Sequence, residues 1–129
     1  MLKEETKTET KTKTGGMLSR AVWEENCEGF TIFSMKAPMH GGGLYNGYIL
    51  LEITHPMYSM DYDEADRYVD AHGGLTFGGM QPDGRMCFGF DCGHIEDTPE
   101  NCDHEYVKSQ YRLMAVACRK IQEEGLPND

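Results

Sequence analysis

The sequence predicts an α+β domain in which an antiparallel β-sheet packs against a long C-terminal helix. Three features support this prediction: two apolar, β-branched segments, a Pro-Asp-Gly turn between two further apolar segments, and a regular apolar stripe near residue 110. A chain of 129 residues has the size of one such domain. We therefore expect a single α+β domain over residues 17–129, preceded by a disordered tail over residues 1–16.

The composition supports the prediction of a disordered tail and limits the classes of binding partner. The first fourteen residues, MLKEETKTETKTKT, offer too little apolar surface to offset the entropy lost on ordering. The formal net charge of −10 disfavours direct binding to nucleic acids and to anionic membranes, whereas it suits a basic protein or a cation. The sequence shows no export signal and an odd number of cysteines, five, so we expect reduced thiols and a cytoplasmic location.

Two strands and a short helix are expected in the first half of the domain. GFTIFSMKAP, residues 29–38, is typical of a strand, and a proline ends it. GYILLEIT, residues 47–54, has an unbroken apolar run that predicts a central strand, ended by a His-Pro pair. The acidic segment at residues 57–70 favours a short helix or helical turn.

A β-hairpin and a long helix are expected in the second half. The hairpin covers residues 74–92, because Pro82 presets its φ and Gly84 accepts a positive one between two apolar segments. The helix covers residues 103–124 and ends at Gly125. Its apolar stripe consists of Val107, Tyr111, Met114, Cys118 and Ile121.

The hairpin brings His72 and Asp91 to the same open end of its ladder. His94 and Asp97 follow within a few residues, which gives two imidazoles and two carboxylates. Such a set suits a divalent metal, zinc or manganese, and His72, Asp91 and His94 are also the candidate catalytic residues. The alternative is a glycine-rich hairpin in which Asp91 caps a turn and the histidines are surface or core residues, since the pattern is not a specific motif.

Two other arrangements use the cysteines. Residues 92–94, Cys-Gly-His, and residues 102–104, Cys-Asp-His, supply four possible zinc ligands, although structural zinc sites usually separate paired ligands by two or more residues. Alternatively, Cys92 with His94 or His72 forms a thiolate–imidazole pair, which the acidic residues around Cys92 disfavour.

The acidic segment supplies a candidate interaction surface. Its carboxylates could imitate a nucleic-acid backbone and bind a basic protein, such as a host defence nuclease. The alternative is a solvated helix face with tyrosines packed beneath it. The surface consists of Asp61, Asp63, Glu64 and Asp66.

Several short motifs lie between residues 44 and 97: Gly-Tyr at 47–48, His-Pro at 55–56, HGGLTF at 72–77 and GFDCGH at 89–94. On these motifs the chain resembles a family of small, mostly uncharacterised bacteriophage and bacterial proteins. The family pattern has glycine where this chain has Glu96. The resemblance implies that His72, Asp91 and His94 share one site, and it implies a phage-encoded protein acting in the host cytoplasm, where small acidic proteins often counter host defences.

The expected function follows from the set of candidate metal ligands. We expect a metal ion held by His72, Asp91, His94 and Asp97, with His55 nearby, to activate water for attack on a phosphate ester or a similar bond. The alternatives are a non-catalytic inhibitor of a host nuclease and a protein that sequesters a nucleotide signal. The sequence has no G-x-S-x-G elbow, no P-loop and no dinucleotide fingerprint, so no motif assigns a reaction.

Overall fold

The computed structural model describes residues 16–36, 44–92 and 100–127. These residues form an antiparallel sheet of five strands in the order β1-β2-β3-β5-β4. The strands are β1 (Trp23–Cys27), β2 (Phe30–Lys36), β3 (Tyr45–Leu51), β4 (Phe77–Met80) and β5 (Met86–Phe90). The helices are a 3-10 helix (Met17–Arg20), α1 (Tyr62–Ala65) and α2 (His104–Glu124). The predicted α+β class is confirmed.

The two faces of the sheet bury different clusters. Ile49 and Leu51 of β3 belong to the main core, which lies under α2. Tyr48 and Leu50, which alternate with them, belong to a smaller cluster that also contains Leu18 of the 3-10 helix. This alternation places apolar residues of β3 on both faces. The continuous apolar run of β3 is therefore explained by its central position in the sheet.

Helix α2 has the boundaries and the buried face that its sequence predicts. All five residues of the apolar stripe, Val107, Tyr111, Met114, Cys118 and Ile121, are buried. Asp103 caps the N terminus, since its Oδ1 accepts a hydrogen bond from the Tyr106 amide at 2.8 Å. Gly125 follows the last turn with a φ of 83°, a value that favours glycine. The cap fixes Cys102 immediately before the helix.

The hairpin forms as β4 and β5. The Gln81 amide donates to the Arg85 carbonyl at 2.8 Å, and Gly84 has a φ of 92°. The acidic segment is less helical than its spacing indicates, because only the four residues of α1 are α-helical and turns surround them. No helix in the described part of the chain combines the length and the apolar character needed to cross a membrane.

One strand has no counterpart in the sequence predictions. β1 reads Trp-Glu-Glu-Asn-Cys, which is too polar to show an apolar alternation, and it pairs only with β2 at the edge of the sheet. Edge strands are commonly charged because charge opposes pairing with another chain. The predicted tail lies outside the described residues except for Gly16, which precedes the 3-10 helix.

Candidate metal centre

Three side chains with metal-binding atoms meet where β5 ends and α2 begins. They are His72, Cys92 and Cys102, and their ligand atoms all lie within 4.8 Å of one another. Zinc binds sulfur at about 2.3 Å and imidazole nitrogen at about 2.0–2.1 Å, so the ligands of one tetrahedral ion lie about 3.5–3.8 Å apart. The Cys102 Sγ and the His72 Nε2 are 3.5 Å apart. The group can therefore hold a metal ion with small adjustments of its side chains.

Each ligand is positioned by a different element. Cys92 lies two residues beyond β5, and its amide donates to the Asn46 Oδ1 of β3 at 3.3 Å. Cys102 directly precedes Asp103, the N-cap of α2. His72 begins a turn in which Gly73 and Gly74 both have positive φ. The positive φ values explain the need for glycine at both positions.

Local hydrogen bonds hold the turn that carries His72. The Gly74 amide donates to the Ala71 carbonyl at 2.9 Å, which closes the turn. The next amide, that of Leu75, donates to the Asp66 Oδ1 at 2.7 Å. His72 is thereby anchored between the acidic segment and the hairpin rather than placed on a free loop.

The two nitrogens of His72 have different neighbours. Nδ1 lies 2.8 Å from the Tyr106 hydroxyl oxygen, and the two rings meet edge to face. When the proton is on Nδ1, that hydrogen bond directs the Nε2 lone pair toward Cys102. Histidines that bind metals usually donate their other N–H in this way, which fixes the tautomer and the orientation of the ring. Tyr106 therefore orients the His72 ring.

The site is largely shielded from water. Cys92 and Cys102 are 0% and 1% exposed and belong to the core cluster under α2, whereas His72 is half-buried. Two buried sulfurs beside an imidazole form a donor set for a borderline metal such as zinc. Within the described residues this is a compact group of three ligands that reaches solvent on the histidine side.

Asp91 is not a member of this group. Burial raises the pKa of Tyr48, and the nearby Asp91 carboxylate raises it further. Tyr48 belongs to the cluster on the face opposite α2, whereas Cys92 belongs to the core under α2. Successive residues of an extended chain point to opposite faces, so Cys92 joins His72 and the Asp91 carboxylate does not. Among the described residues, the metal-binding group thus contains His72 but not Asp91.

Two other members of the predicted sets lie outside the described residues. They are His94 and Asp97, which belong to the segment 93–99. Their predicted roles as metal ligands stay predictions. The arrangement of two Cys-x-His pairs is likewise only partly described, and of its members Cys92 and Cys102 do lie together.

The two remaining described histidines serve packing. The His104 Nε2 lies 2.7 Å from the Ser34 hydroxyl, and its ring stacks on Tyr45 with centroids 4.1 Å apart. His55 is 3% exposed and uses both ring nitrogens for backbone hydrogen bonds. Burial lowers the pKa of both imidazoles. His104 therefore joins α2 to β2 and β3, and His55 lies within the core.

Sequence reasoning placed His72 and Cys102 in separate candidate sets. The hairpin predicted that His72 lies beside Asp91, whereas the structure brings His72 together with the adjacent residue, Cys92. Cys102 could have been added from its place immediately before the expected start of α2. Tyr106 has no sequence signal of its own, because its role depends on the helix docking beside the His72 turn.

The acidic surface is exposed, and half of it has a structural role. Asp61, Asp63, Glu64 and Asp66 are all exposed. Asp61 caps α1 by accepting from the Glu64 amide at 2.9 Å, and Asp66 accepts from Leu75 as described above. Asp63 and Glu64 are the two whose side chains have no backbone hydrogen bond among the described contacts.

The fold and the site define a small α+β protein with a His/Cys/Cys group that can hold a metal ion. Comparisons with protein-family models, with curated proteins and with solved structures found no match to this chain.

Proposed function

We propose that this protein binds one zinc ion through His72, Cys92 and Cys102. The observation that carries the proposal is that their three ligand atoms lie within 4.8 Å of one another. Sulfur ligands favour zinc over manganese and magnesium, which prefer carboxylate, carbonyl and water oxygens. The donor set therefore supports zinc rather than manganese, the other metal that the sequence suggested.

Three protein ligands leave one tetrahedral position for a fourth. In catalytic zinc sites that position holds water or substrate, and the ion lowers the pKa of the water to about 7. We propose that water bound there attacks a phosphate ester or a similar bond. A fourth protein ligand would instead close the site, and His94 and Asp97, two and five residues after Cys92 in the sequence, are the candidates.

Elemental analysis of the untagged protein tests zinc binding. We expect one zinc per chain in the wild type and none in His72→Ala or Cys102→Ser. The matched control is Cys27→Ser, which removes a half-buried thiol of β1 outside the group and should keep its zinc. A wild type that takes up no zinc, or a His72→Ala variant that retains it, would contradict the proposal.

Cobalt substitution distinguishes an open site from a closed one. Thiolate-to-cobalt bands should appear in the near ultraviolet in the wild type and weaken in Cys102→Ser. If water is the fourth ligand, the visible bands should be unchanged in His94→Ala and Asp97→Ala. A change in either variant would identify a fourth protein ligand and remove the basis for hydrolysis while leaving zinc binding intact.

Hydrolysis is tested with chromogenic phosphate monoesters and diesters. The zinc-loaded wild type should release the chromophore, whereas the metal-free protein and the zinc-treated His72→Ala variant should not. Equal rates with and without zinc would exclude a reaction at this site. A zinc-loaded protein that is inactive on every ester would contradict the hydrolytic part of the proposal alone.

The exposure of the acidic surface supports a second proposal. Its carboxylates bind the nucleic-acid site of a basic protein, for which a host defence nuclease is the candidate suggested by the phage-type motifs. Because Asp61 and Asp66 hold backbone amides, the test uses Asp63→Asn with Glu64→Gln. This double variant should weaken inhibition of a panel of defence nucleases and reduce its salt dependence.

The control for the second proposal is an equal change of charge elsewhere. Glu123 and Glu124 are exposed in the last turn of α2, so Glu123→Gln with Glu124→Gln alters the net charge by the same amount. Similar inhibition by both double variants would show that the acidic surface has no specific role. Absence of inhibition by the wild type would contradict the proposal directly.

A further inference from the structure

We infer that Cys92 and Cys102 form a reversible disulfide when a peroxide oxidises the site, and that this oxidation releases the zinc ion. The inference rests on the proposed zinc binding and adds a form of regulation to the same site. Its basis is geometric: both Sγ atoms belong to a group in which all ligand atoms lie within 4.8 Å of one another. Two thiols that share one metal ion are already neighbours when the ion leaves.

The other described thiols lie in different surroundings. Cys87 packs in the cluster on the opposite face of the sheet. Cys27 is on the edge strand β1, and Cys118 is buried in the middle of α2. All five cysteines are free in the structure. The shared site therefore singles out Cys92 and Cys102.

Their position in the chain gives the disulfide a structural consequence. Cys92 follows the end of β5, and Cys102 precedes the N-cap of α2, so the bound metal ties these two elements together. A disulfide between the same residues would tie the same two points. Because the fold already holds these two cysteines close together, closing the short loop between them costs little chain entropy. The oxidised protein should therefore lose the metal without losing α2 or the sheet.

The reaction balances with hydrogen peroxide as the oxidant. Peroxide first oxidises one thiolate to a sulfenate, and the second sulfur then attacks that sulfur. In total, two thiolates, one hydrogen peroxide and two protons from water give one disulfide and two water molecules. In the first step the O–O bond breaks as an S–O bond forms. In the second step that S–O bond breaks as the S–S bond forms, and in total two electrons pass from sulfur to oxygen.

Oxidation removes two of the three ligands. A disulfide sulfur no longer has the negative charge with which a thiolate binds zinc, so only His72 remains and the ion dissociates. A thiol reductant restores both thiols through thiol–disulfide exchange. Because both sulfurs are at most 1% exposed, the oxidant must be small, and hydrogen peroxide meets that condition.

The test treats zinc-loaded, untagged protein with hydrogen peroxide and follows three quantities. A chromogenic chelator measures released zinc, intact mass measures the loss of two hydrogens, and peptide mapping identifies the linked cysteines. We expect one zinc released per Cys92–Cys102 disulfide, with the far-ultraviolet circular dichroism unchanged. After reduction and removal of peroxide, the protein should bind zinc again.

Matched variants isolate the two thiols. Cys27→Ser should release zinc and form the disulfide as the wild type does. Cys92→Ser and Cys102→Ser should form no intramolecular disulfide at this site. If either variant fails to fold, the peptide map of the wild type remains decisive, because a linkage other than Cys92–Cys102, or cysteines overoxidised without linkage, would overturn the inference.

The outcomes separate this inference from the proposed zinc binding. If the reduced wild type holds no zinc, the zinc proposal fails and the regulated release fails with it. If it holds one zinc and peroxide produces no Cys92–Cys102 disulfide, only the redox inference fails. If the disulfide forms while the zinc stays bound, the coupling between oxidation and release is wrong and zinc binding stands.

Discussion

Two histidines of the described residues, His55 and His72, lie in short turns and have opposite relations to their surroundings. His55 accepts a hydrogen bond from the Met57 amide at Nδ1 and donates one to the Cys118 carbonyl at Nε2, at 3.0 and 2.9 Å. His72 has the Tyr106 hydroxyl at Nδ1, whereas its Nε2 faces the Cys102 sulfur. One ring is held by backbone on both sides, and the other turns one nitrogen toward a second ligand atom.

This difference shows how a core histidine can be told from a candidate ligand. If burial alone were used to choose a metal ligand, His55, which is 3% exposed, would be chosen over the half-buried His72. The neighbours of the second nitrogen are more informative, because a metal needs a lone pair aimed at other ligand atoms. The lone pair of His55 is already used by an amide. Replacing each of the two histidines tests this distinction.

Replacing His55 should destabilise the fold without affecting metal binding. His55→Ala leaves the buried Met57 amide without its acceptor and removes a ring that meets Phe30 edge to face. We expect the metal-free protein to lose about 3 kcal/mol of unfolding free energy. Urea unfolding measures the loss, and zinc stoichiometry of the folded variant should stay at one per chain. Loss of zinc from a folded His55→Ala variant would contradict the assignment of His55 as a core residue that does not bind the metal.

Replacing His72 should have the opposite effect. Zinc at about 100 times its dissociation constant should raise the wild-type unfolding free energy by about 2.7 kcal/mol, and this gain should disappear in His72→Ala. In the metal-free protein the same change should cost about 1 kcal/mol, because His72 is half-buried and its hydrogen bond with the Tyr106 hydroxyl is lost. A thermal shift with and without zinc separates the two effects.

The sequence predicted most of the framework that brings the ligands together. The helix stripe, the hairpin turn and the central apolar strand each have a local signal, and all three form as expected. The polar edge strand β1 has no such signal, since its pairing with β2 rather than its own composition makes it a strand. Local periodicity therefore predicts elements that bury an apolar face and misses elements that do not.

The site was less predictable because it depends on which way adjacent residues face. Asp91 and Cys92 are neighbours in sequence, and a shift of one residue decides whether the carboxylate or the thiol reaches His72. The hairpin predicts the position along the strand to within a residue or two, which is too coarse to choose between them. Cys102 and Tyr106 enter only through the docking of α2, for which the sequence has no local signal.

Replacing Tyr106 should weaken zinc binding without removing a ligand. Tyr106→Phe keeps the ring that meets His72 edge to face but deletes the hydroxyl 2.8 Å from Nδ1. Loss of such a partner typically weakens metal affinity about 10- to 100-fold, or about 1.4–2.8 kcal/mol. Competition with a zinc chelator measures the change. An unchanged affinity would show that packing, rather than the hydrogen bond, orients His72.

Acid should destabilise the protein through protonation of His55 in a definite pH range. Burial lowers the pKa of His55 below its ordinary value of 6.5, so the unfolded chain binds the proton more readily than the folded one. Neutral His55 therefore makes its full contribution to the unfolding free energy above pH 6.5. This contribution is lost as the pH falls from 6.5 toward the pKa of His55 in the folded protein. One proton limits the slope to about 1.4 kcal/mol per pH unit.

The difference in unfolding free energy between wild type and His55→Gln, measured on metal-free protein as a function of pH, isolates this effect. His104 also has a pKa lowered by burial and titrates in the same range, but it is present in both proteins and cancels. Glu25, whose pKa the Arg112 guanidinium lowers to about 2, affects stability only below its ordinary value of 4.5. Unfolding free energies should thus converge as the pH falls below 6.5. Parallel curves would mean that His55 takes up a proton in the folded core as readily as in the unfolded chain, which would require its Nδ1 to give up the Met57 amide.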